Sequence, residues 1–335
     1  MIKTLSSWRG LLVVVIILYH TPIVALTEAA HMGVSMFLVM SGTLMMMRHP
    51  QVKCTWTQWM LPRARRIYTI HWLVLALIVL AMLPLGKVGS LWTLVSNAML
   101  VHPWCPERAV YLSFNKPTWF LSALLLCYAL YPMLSRVFSC LGLRGKWAIA
   151  IGVMALHCLV TASVSQPVRD WLFDMPLMRV GDFVWGMAVG ASVPAVEARL
   201  GRWVRDHSTI VELVVVAVLI AVVIAVGKMP WLDWCEDVTV WWLPLSLLVL
   251  TCILVNGSEG MIGRLLSSRP LTWLGSVSLE VYMLAALVSF VYSHYIAAIA
   301  GHFGHPEFYD ISWPATLPLT LLAAALLHKV TDKRT

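Results

Sequence analysis

Residues 8–20 read Trp8-Arg9-Gly10-Leu11-Leu12-Val13-Val14-Val15-Ile16-Ile17-Leu18-Tyr19-His20. An unbroken apolar run from Leu11 to Leu18 is bracketed by an arginine and a histidine. Extended to residue 26, the segment reaches the roughly 20 residues that an α-helix needs to cross a bilayer. The same reading repeats along the chain. Ten candidate spans are expected, at 8–26, 32–47, 65–86, 118–139, 147–163, 176–195, 209–227, 238–256, 275–299 and 313–330. The weakly apolar segment 88–102 is expected to lie along the membrane interface. The Ser41-Gly42 pair is read as a place where helices approach closely, since small side chains permit it.

Composition agrees. The 335 residues are 60% hydrophobic and 12% charged, with a mean hydropathy of +0.81. Soluble domains carry about 25% charged residues, so a soluble enzyme and a disordered chain are both excluded. An outer-membrane barrel is excluded too, because its strands alternate rather than run apolar. No repeat, low-complexity tract or internal boundary is visible. The expectation is an all-α, polytopic transmembrane helical bundle, a single integral membrane domain over 1–335.

The net charge of +8 carries no nucleic-acid signature; its distribution reports topology. With the N-terminus in the cytoplasm and ten alternating spans, 18 of the 24 basic residues fall on the inner side and 6 on the outer. That asymmetry fits the positive-inside rule and predicts both termini in the cytoplasm. The N-terminus imitates a signal peptide, but cleavage would discard both Arg9 and His20, so the first span is read as retained. Of seven cysteines, Cys105 and Cys235 fall in expected outer loops. They are read either as a pair in an oxidising compartment or as two free thiols. No C-x-x-C or His/Cys metal spacing is present. Several of the 17 tryptophans, among them Trp104, Trp119, Trp231, Trp234, Trp241, Trp242 and Trp313, are expected in an interfacial belt.

Ionisable residues within spans are costly and so mark function. Arg9 and His20 are 11 residues apart, about 20° beyond three full turns, on one helix face and separated by roughly 16 Å along the axis. The spacing suits a ligand with a charged head at the membrane surface and a reactive end deeper in. It also suits a snorkelling arginine and a histidine hydrogen-bonded to a neighbouring helix. Arg63 and Arg66, at i and i+3, share a face where the third span begins. A helix N-terminus and two guanidinium forks attract phosphates there, and anionic lipid would be attracted equally. Arg179 and Asp182 are read as an intramembrane ion pair. Glu280 is read as seeking an arginine, and His71, His157, His294 and His328 as helix–helix partners. His31 and His102 are expected in outer loops.

The Arg9–His20 span resembles the start of the membrane-bound acyltransferase-3 family. The stretch Gly33–Gly42 is similar to that family's second span. Arg63-Ala64-Arg65-Arg66-Ile67-Tyr68 is similar to its Arg-x-x-Arg box. Trp119-Phe120-Leu121-Ser122 with Tyr128 and Pro132 resembles its fourth-span motif, and Arg179–Gly186 and Gly275–Tyr282 also fit. Two positions depart from the pattern. Leu124 stands where many members carry a glutamate, and Tyr282-Met283-Leu284-Ala285-Ala286 lacks the histidine that often follows the tyrosine.

The resemblance implies transfer of an acyl group, commonly acetyl, from cytoplasmic acetyl-CoA or another acyl-CoA. The acceptor would be a hydroxyl of a glycan or lipid-linked sugar, and membrane lipids would be the surroundings. The acyl-CoA is a donor substrate, not a permanently bound cofactor. It implies His20 as the catalytic residue with Arg9 assisting, and Arg63 and Arg66 as the donor-phosphate ligands. The competing readings are a glycan or lipid transporter without chemistry, and an inactive scaffold of the same fold.

Overall fold

The computed structural model describes residues 2–19, 27–228, 239–305 and 312–331. Among these every regular element is helical. Ten principal helices follow in order: α1 (Lys3–Tyr19), α2 (Thr27–Arg48), α3 (Trp56–Met82), α4 (Trp119–Ser139), α5 (Leu143–Ala162), α6 (Pro176–Asp206), α7 (Ser208–Val226), α8 (Thr239–Leu254), α9 (Ser278–Val291) and α10 (Ser312–Thr331). Each coincides with one of the ten expected segments. Six of them, α2, α3, α4, α5, α7 and α9 with its extension to His302, are long and apolar enough to cross a membrane; the described parts of α8 and α10 are apolar but shorter.

Three boundaries differ from expectation for local reasons. Helix α3 begins at Trp56, nine residues earlier than expected. A capping box fixes that start, and Pro62 lies inside the helix: the Thr55 hydroxyl accepts from the Gln58 amide, and the Gln58 side chain accepts from the Thr55 amide. Helix α6 runs to Asp206, carrying Arg199, Arg202 and Arg205 on its extension. The expected span 275–299 is compound. A separate helix, Arg269–Ser276, precedes α9, and a π turn over Tyr292–Ile296 links α9 to Ala297–His302.

Helix α6 is central, packed against α2, α4, α5 and α8. Its glycines explain why. A Cβ at Gly186 would fall 2.1 Å from the Val39 carbonyl oxygen, and one at Gly42 would fall 2.1 Å from that of Phe183. The two backbones therefore touch, as Ser41-Gly42 led one to expect, and Gly186 completes the contact from the other side. The Thr43 hydroxyl lies 2.8 Å from the Val39 carbonyl and 3.0 Å from that of Gly186. Without a hydrophobic drive between helices in lipid, such close packing and hydrogen bonding carry the association.

Trp119, Trp241 and Trp242 correct the belt expectation: all three are buried. Trp242 donates from Nε1 to Asp182 at 2.7 Å, and Trp185 donates to Ser246 at 2.8 Å. These indoles satisfy polar atoms inside the bundle, where an unpaired group is expensive. Trp104 is exposed; Trp231 and Trp234 lie outside the described residues, as does the side chain of Trp313. Cys235 also lies outside them, and with it the choice between a Cys105–Cys235 pair and two free thiols.

The segment expected at the interface holds a short helix, Leu91–Ala98. It buries Thr93, Ser96 and Asn97 and exposes Leu91, Trp92 and Val95. The Asn97 carbonyl meets His71 Nε2 at 2.9 Å, and Trp72 and Tyr68 of α3 donate to the carbonyls of Ala98 and Met99. His102 is buried in a 3₁₀ turn beside it, and burial pushes its imidazole down to about 3, with His71 adding to the effect. His31 is not in a loop: it belongs to α2, with its ring 4.5 Å from that of Phe173.

Candidate active site

Helices α1, α2, α3, α4 and α9 enclose a cavity of about 490 Å³. Four arginines line it, Arg9, Arg48, Arg63 and Arg66, and none of its lining residues is acidic. Each reaches the cavity by a local rule. Pro62, Arg63, Arg66 and Ile67 form one face of α3 at helical spacing. The Arg63 guanidinium lies 3.4 Å over the Trp59 ring and donates to the Trp59 carbonyl at 2.6 Å. Trp59 is itself fixed by its indole N–H, which donates to the Tyr128 carbonyl of α4 at 2.9 Å. Arg66 is exposed and projects toward the cavity with no hydrogen bond among the described residues.

Arg9 enters from α1. Its Nη2 donates to the Gly275 carbonyl at 2.9 Å, and its buried Nε has no partner among the described residues. Gly275 ends the helix Arg269–Ser276, so Arg9 meets the negative end of a helix dipole. The approach requires glycine, since a Cβ at Gly275 would fall 2.0 Å from the Ser6 carbonyl oxygen. Beyond the end of α2, His49 is held below the ordinary histidine range by partial desolvation first, then by Arg63 and Arg48. The field at this end of the bundle is positive and suited to a polyanion.

A second cavity of about 640 Å³ lies at the other end of α1, lined by Tyr19, His31, Lys116, Trp119, Phe173 and Asp174 among others. Helix α1 thus runs from the arginine cavity at Arg9 to this polar and aromatic cavity at Tyr19. His20, the next residue, lies outside the described residues. Tyr282 of α9 lines both cavities. Its ring packs edge-on against Phe120, centroids 5.7 Å apart, and Phe120 packs likewise against Phe37. Tyr282 is thus the side chain that the two spaces share, and Phe120 and Phe37 back it on the arginine side.

A family model described as an acyltransferase domain, acyltransferase-3, matches residues 2–329. The chain belongs to the acyltransferase-3 family. It is also 26% identical over 335 aligned residues to "Acyltransferase MdmB" of Streptomyces mycarofaciens, covering 93% of this chain and 82% of that protein. No solved structure matches. The protein is a membrane acyltransferase, and it requires an acyl donor and an acceptor.

In this acyltransferase Arg9, Arg63 and Arg66 are brought together, as the sequence led one to expect. Sequence reasoning missed Arg48, His49 and Tyr282 as cavity residues. Arg48 carried a signal as the basic residue ending α2, whereas Tyr282 was quoted only as part of a motif. Leu124 lines the arginine cavity, so the glutamate position common in the family is apolar here. Arg179 and Asp182 form a fully buried ion pair at 3.5 Å. Arg179 also donates from Nε to the Phe173 carbonyl and stacks 3.9 Å over its ring. Glu280 meets His328 at 2.9 Å, and its charge also acts on Arg9.

Proposed function

We propose that the enzyme moves an acyl group, acetyl in the simplest case, from cytoplasmic acyl-CoA to a sugar hydroxyl of an envelope or exported glycan. The observation that carries this reading is the cavity lined by four arginines and no acid, which shares Tyr282 with a polar and aromatic cavity. Arg63 and Arg66 hold the donor phosphates, and the buried, unpartnered Nε of Arg9 marks where further negative charge is met. The acceptor enters the opposite cavity, whose lining includes Trp119, His31 and Asp174. The ten helices cross the inner membrane, with both termini and the arginine cavity on the cytoplasmic side.

His20 serves as the base. It takes the hydroxyl proton as the oxygen attacks the thioester carbonyl; the new C–O bond forms, the C–S bond breaks, and CoA leaves as the thiolate. Leu124 supplies no second carboxylate, so His20 acts without one from that position. Neutral His20 is required as base, so the rate should fall at acid pH.

The test is labelled acetyl-CoA incubated with membranes that carry the enzyme and supply the acceptor. Label passes into glycan with the native chain. His20→Ala abolishes transfer, and Arg63→Ala with Arg66→Ala weakens CoA binding at least about tenfold, the loss of one charge-assisted hydrogen bond or more. Normal transfer by His20→Ala refutes its role as base, and unchanged CoA affinity in the double variant refutes the donor site.

A further inference from the structure

The cationic lining of the arginine cavity continues past Arg48 and His49. Both residues also line a groove of about 560 Å³, together with Gln51, Lys53, Ser139 and Lys146. No acidic residue lines this groove. Three segments build it: the end of α2 with the loop after it, the end of α4, and the first turn of α5. The corner between cavity and groove is fixed. Tyr131 of α4 donates to the His49 carbonyl at 2.8 Å, and the His49 ring packs edge-on against Trp59, centroids 5.4 Å apart. Trp59 is also the ring beneath Arg63. One indole therefore positions a cation of the cavity and the boundary of the groove.

The groove's cations have no anionic partner in the protein. Among the described residues, the side chains of Arg48, Lys53 and Lys146 make no hydrogen bond or ion pair. Lys146 also stands where a cation is disfavoured. The first turn of α5 carries Arg144 and Lys146 and no acid, although the positive end of a helix dipole favours negative charge. An anion beside Lys146 offsets that repulsion.

The cations come in an order. The charge of Arg66 acts on Arg9, whereas those of Arg63 and Arg48 act on His49. The series runs from Arg9 through Arg66 and Arg63 to His49 and Arg48, and then to the two lysines. A CoA thioester carries its charge in a matching order. Its diphosphate stands between the pantetheine arm, which ends in the thioester, and a ribose that bears a separate phosphate monoester. Such a monoester carries about 1.5 to 2 negative charges at neutral pH. With the diphosphate on Arg63 and Arg66 and the pantetheine directed past Arg9, the ribose end faces Arg48 and the groove.

We infer that Arg48, Lys53 and Lys146 form a subsite for the 3′-phosphate on the donor's ribose, so that the enzyme selects acyl-CoA over thioesters that lack this phosphate. This rests on the donor reading above. An anionic lipid headgroup offers phosphate as well. Continuity with the arginine cavity through Arg48 and His49 favours the nucleotide.

The test measures binding of CoA and 3′-dephospho-CoA to the full-length protein in phosphatidylcholine nanodiscs. The native chain is expected to bind CoA at least about tenfold tighter, the worth of one charge-assisted hydrogen bond. Lys53→Gln with Lys146→Gln should bring CoA affinity down to that of dephospho-CoA. Dephospho-CoA affinity should stay within about twofold, which also reports that the variant folds. If the native chain binds both ligands equally while Arg63→Ala with Arg66→Ala weakens both, the groove assignment is overturned and the donor site stands. If the lysine variant weakens both ligands alike, the lysines supply only a general field and the proposal fails. If that variant keeps the preference for CoA but retains less phosphatidylglycerol in mixed-lipid nanodiscs, the groove takes a lipid headgroup and the proposal fails. If neither ligand binds, or Arg63→Ala with Arg66→Ala changes neither affinity, the donor reading falls and this inference falls with it.

Discussion

Arg63 and Arg66 show how neighbouring side chains of one type differ in what they can do. Arg63 is leaned on Trp59 and bonded to its carbonyl, which fixes its plane before any ligand arrives. Arg66 is exposed and has no such tether, so it can follow a moving phosphate. Their shared face was legible from i, i+3 spacing alone. The stacking was not, because Trp59 lies before the expected start of the third span at residue 65. His49 gives a local probe of the field they create. Each guanidinium repels the proton, so Arg63→Gln should raise the His49 titration midpoint toward the ordinary 6.5. Histidine NMR in detergent, with His49→Asn for assignment, would check this; a midpoint that does not move would mean that desolvation and Arg48 hold it down without Arg63.

Among the elements, the α2–α6 contact places the most demand on sequence. Gly42 and Gly186 put each backbone against the other, and Gly190 continues the seam, its Cβ position lying 2.5 Å from the Thr43 carbonyl oxygen. Gly186→Ala should lower stability by about 1–3 kcal/mol through overpacking and displace α2, whose far end supplies Ser41, Leu44 and Arg48 to the arginine cavity. Thermal unfolding in detergent and CoA binding, measured together, should fall together; a variant with native values of both would show that the seam relaxes freely. Hydrophobic runs placed the ten helices because length and apolarity are local properties. They said nothing of partners. The His328 that Glu280 meets lies 48 residues away. The Glu212 carboxylate that caps the Met261–Leu266 helix, accepting from the amides of Gly260, Ile262 and Gly263 at 3.0 Å each, is equally distant from what it holds. Both are tertiary facts that no periodicity encodes.

At the scale of the whole molecule, the sidedness of the bundle is open to direct chemistry. Exposed Cys54 follows α2, exposed Cys140 follows α4, and partly exposed Cys105 lies before α4 at the other end. In single-cysteine proteins, a membrane-impermeant maleimide added to right-side-out vesicles should label Cys105 and spare Cys54 and Cys140, and inverted vesicles should reverse the pattern. The opposite result would turn the bundle over and put the arginine cavity away from cytoplasmic CoA. That sidedness is the one charge counting predicts, from a bias summed over many loops. The sharing of Tyr282 by two cavities needed coordinates, because their walls come from helices far apart in the chain. The short helix Leu91–Ala98 carries one more consequence. With its polar side inward and Leu91, Trp92 and Val95 outward, it has no stable seat until lipid covers the outward side. The bilayer is then a reagent in the maturation of this protein: chains synthesised without vesicles should leave the backbone between residues 88 and 102 open to protease, and vesicles present during translation should close it.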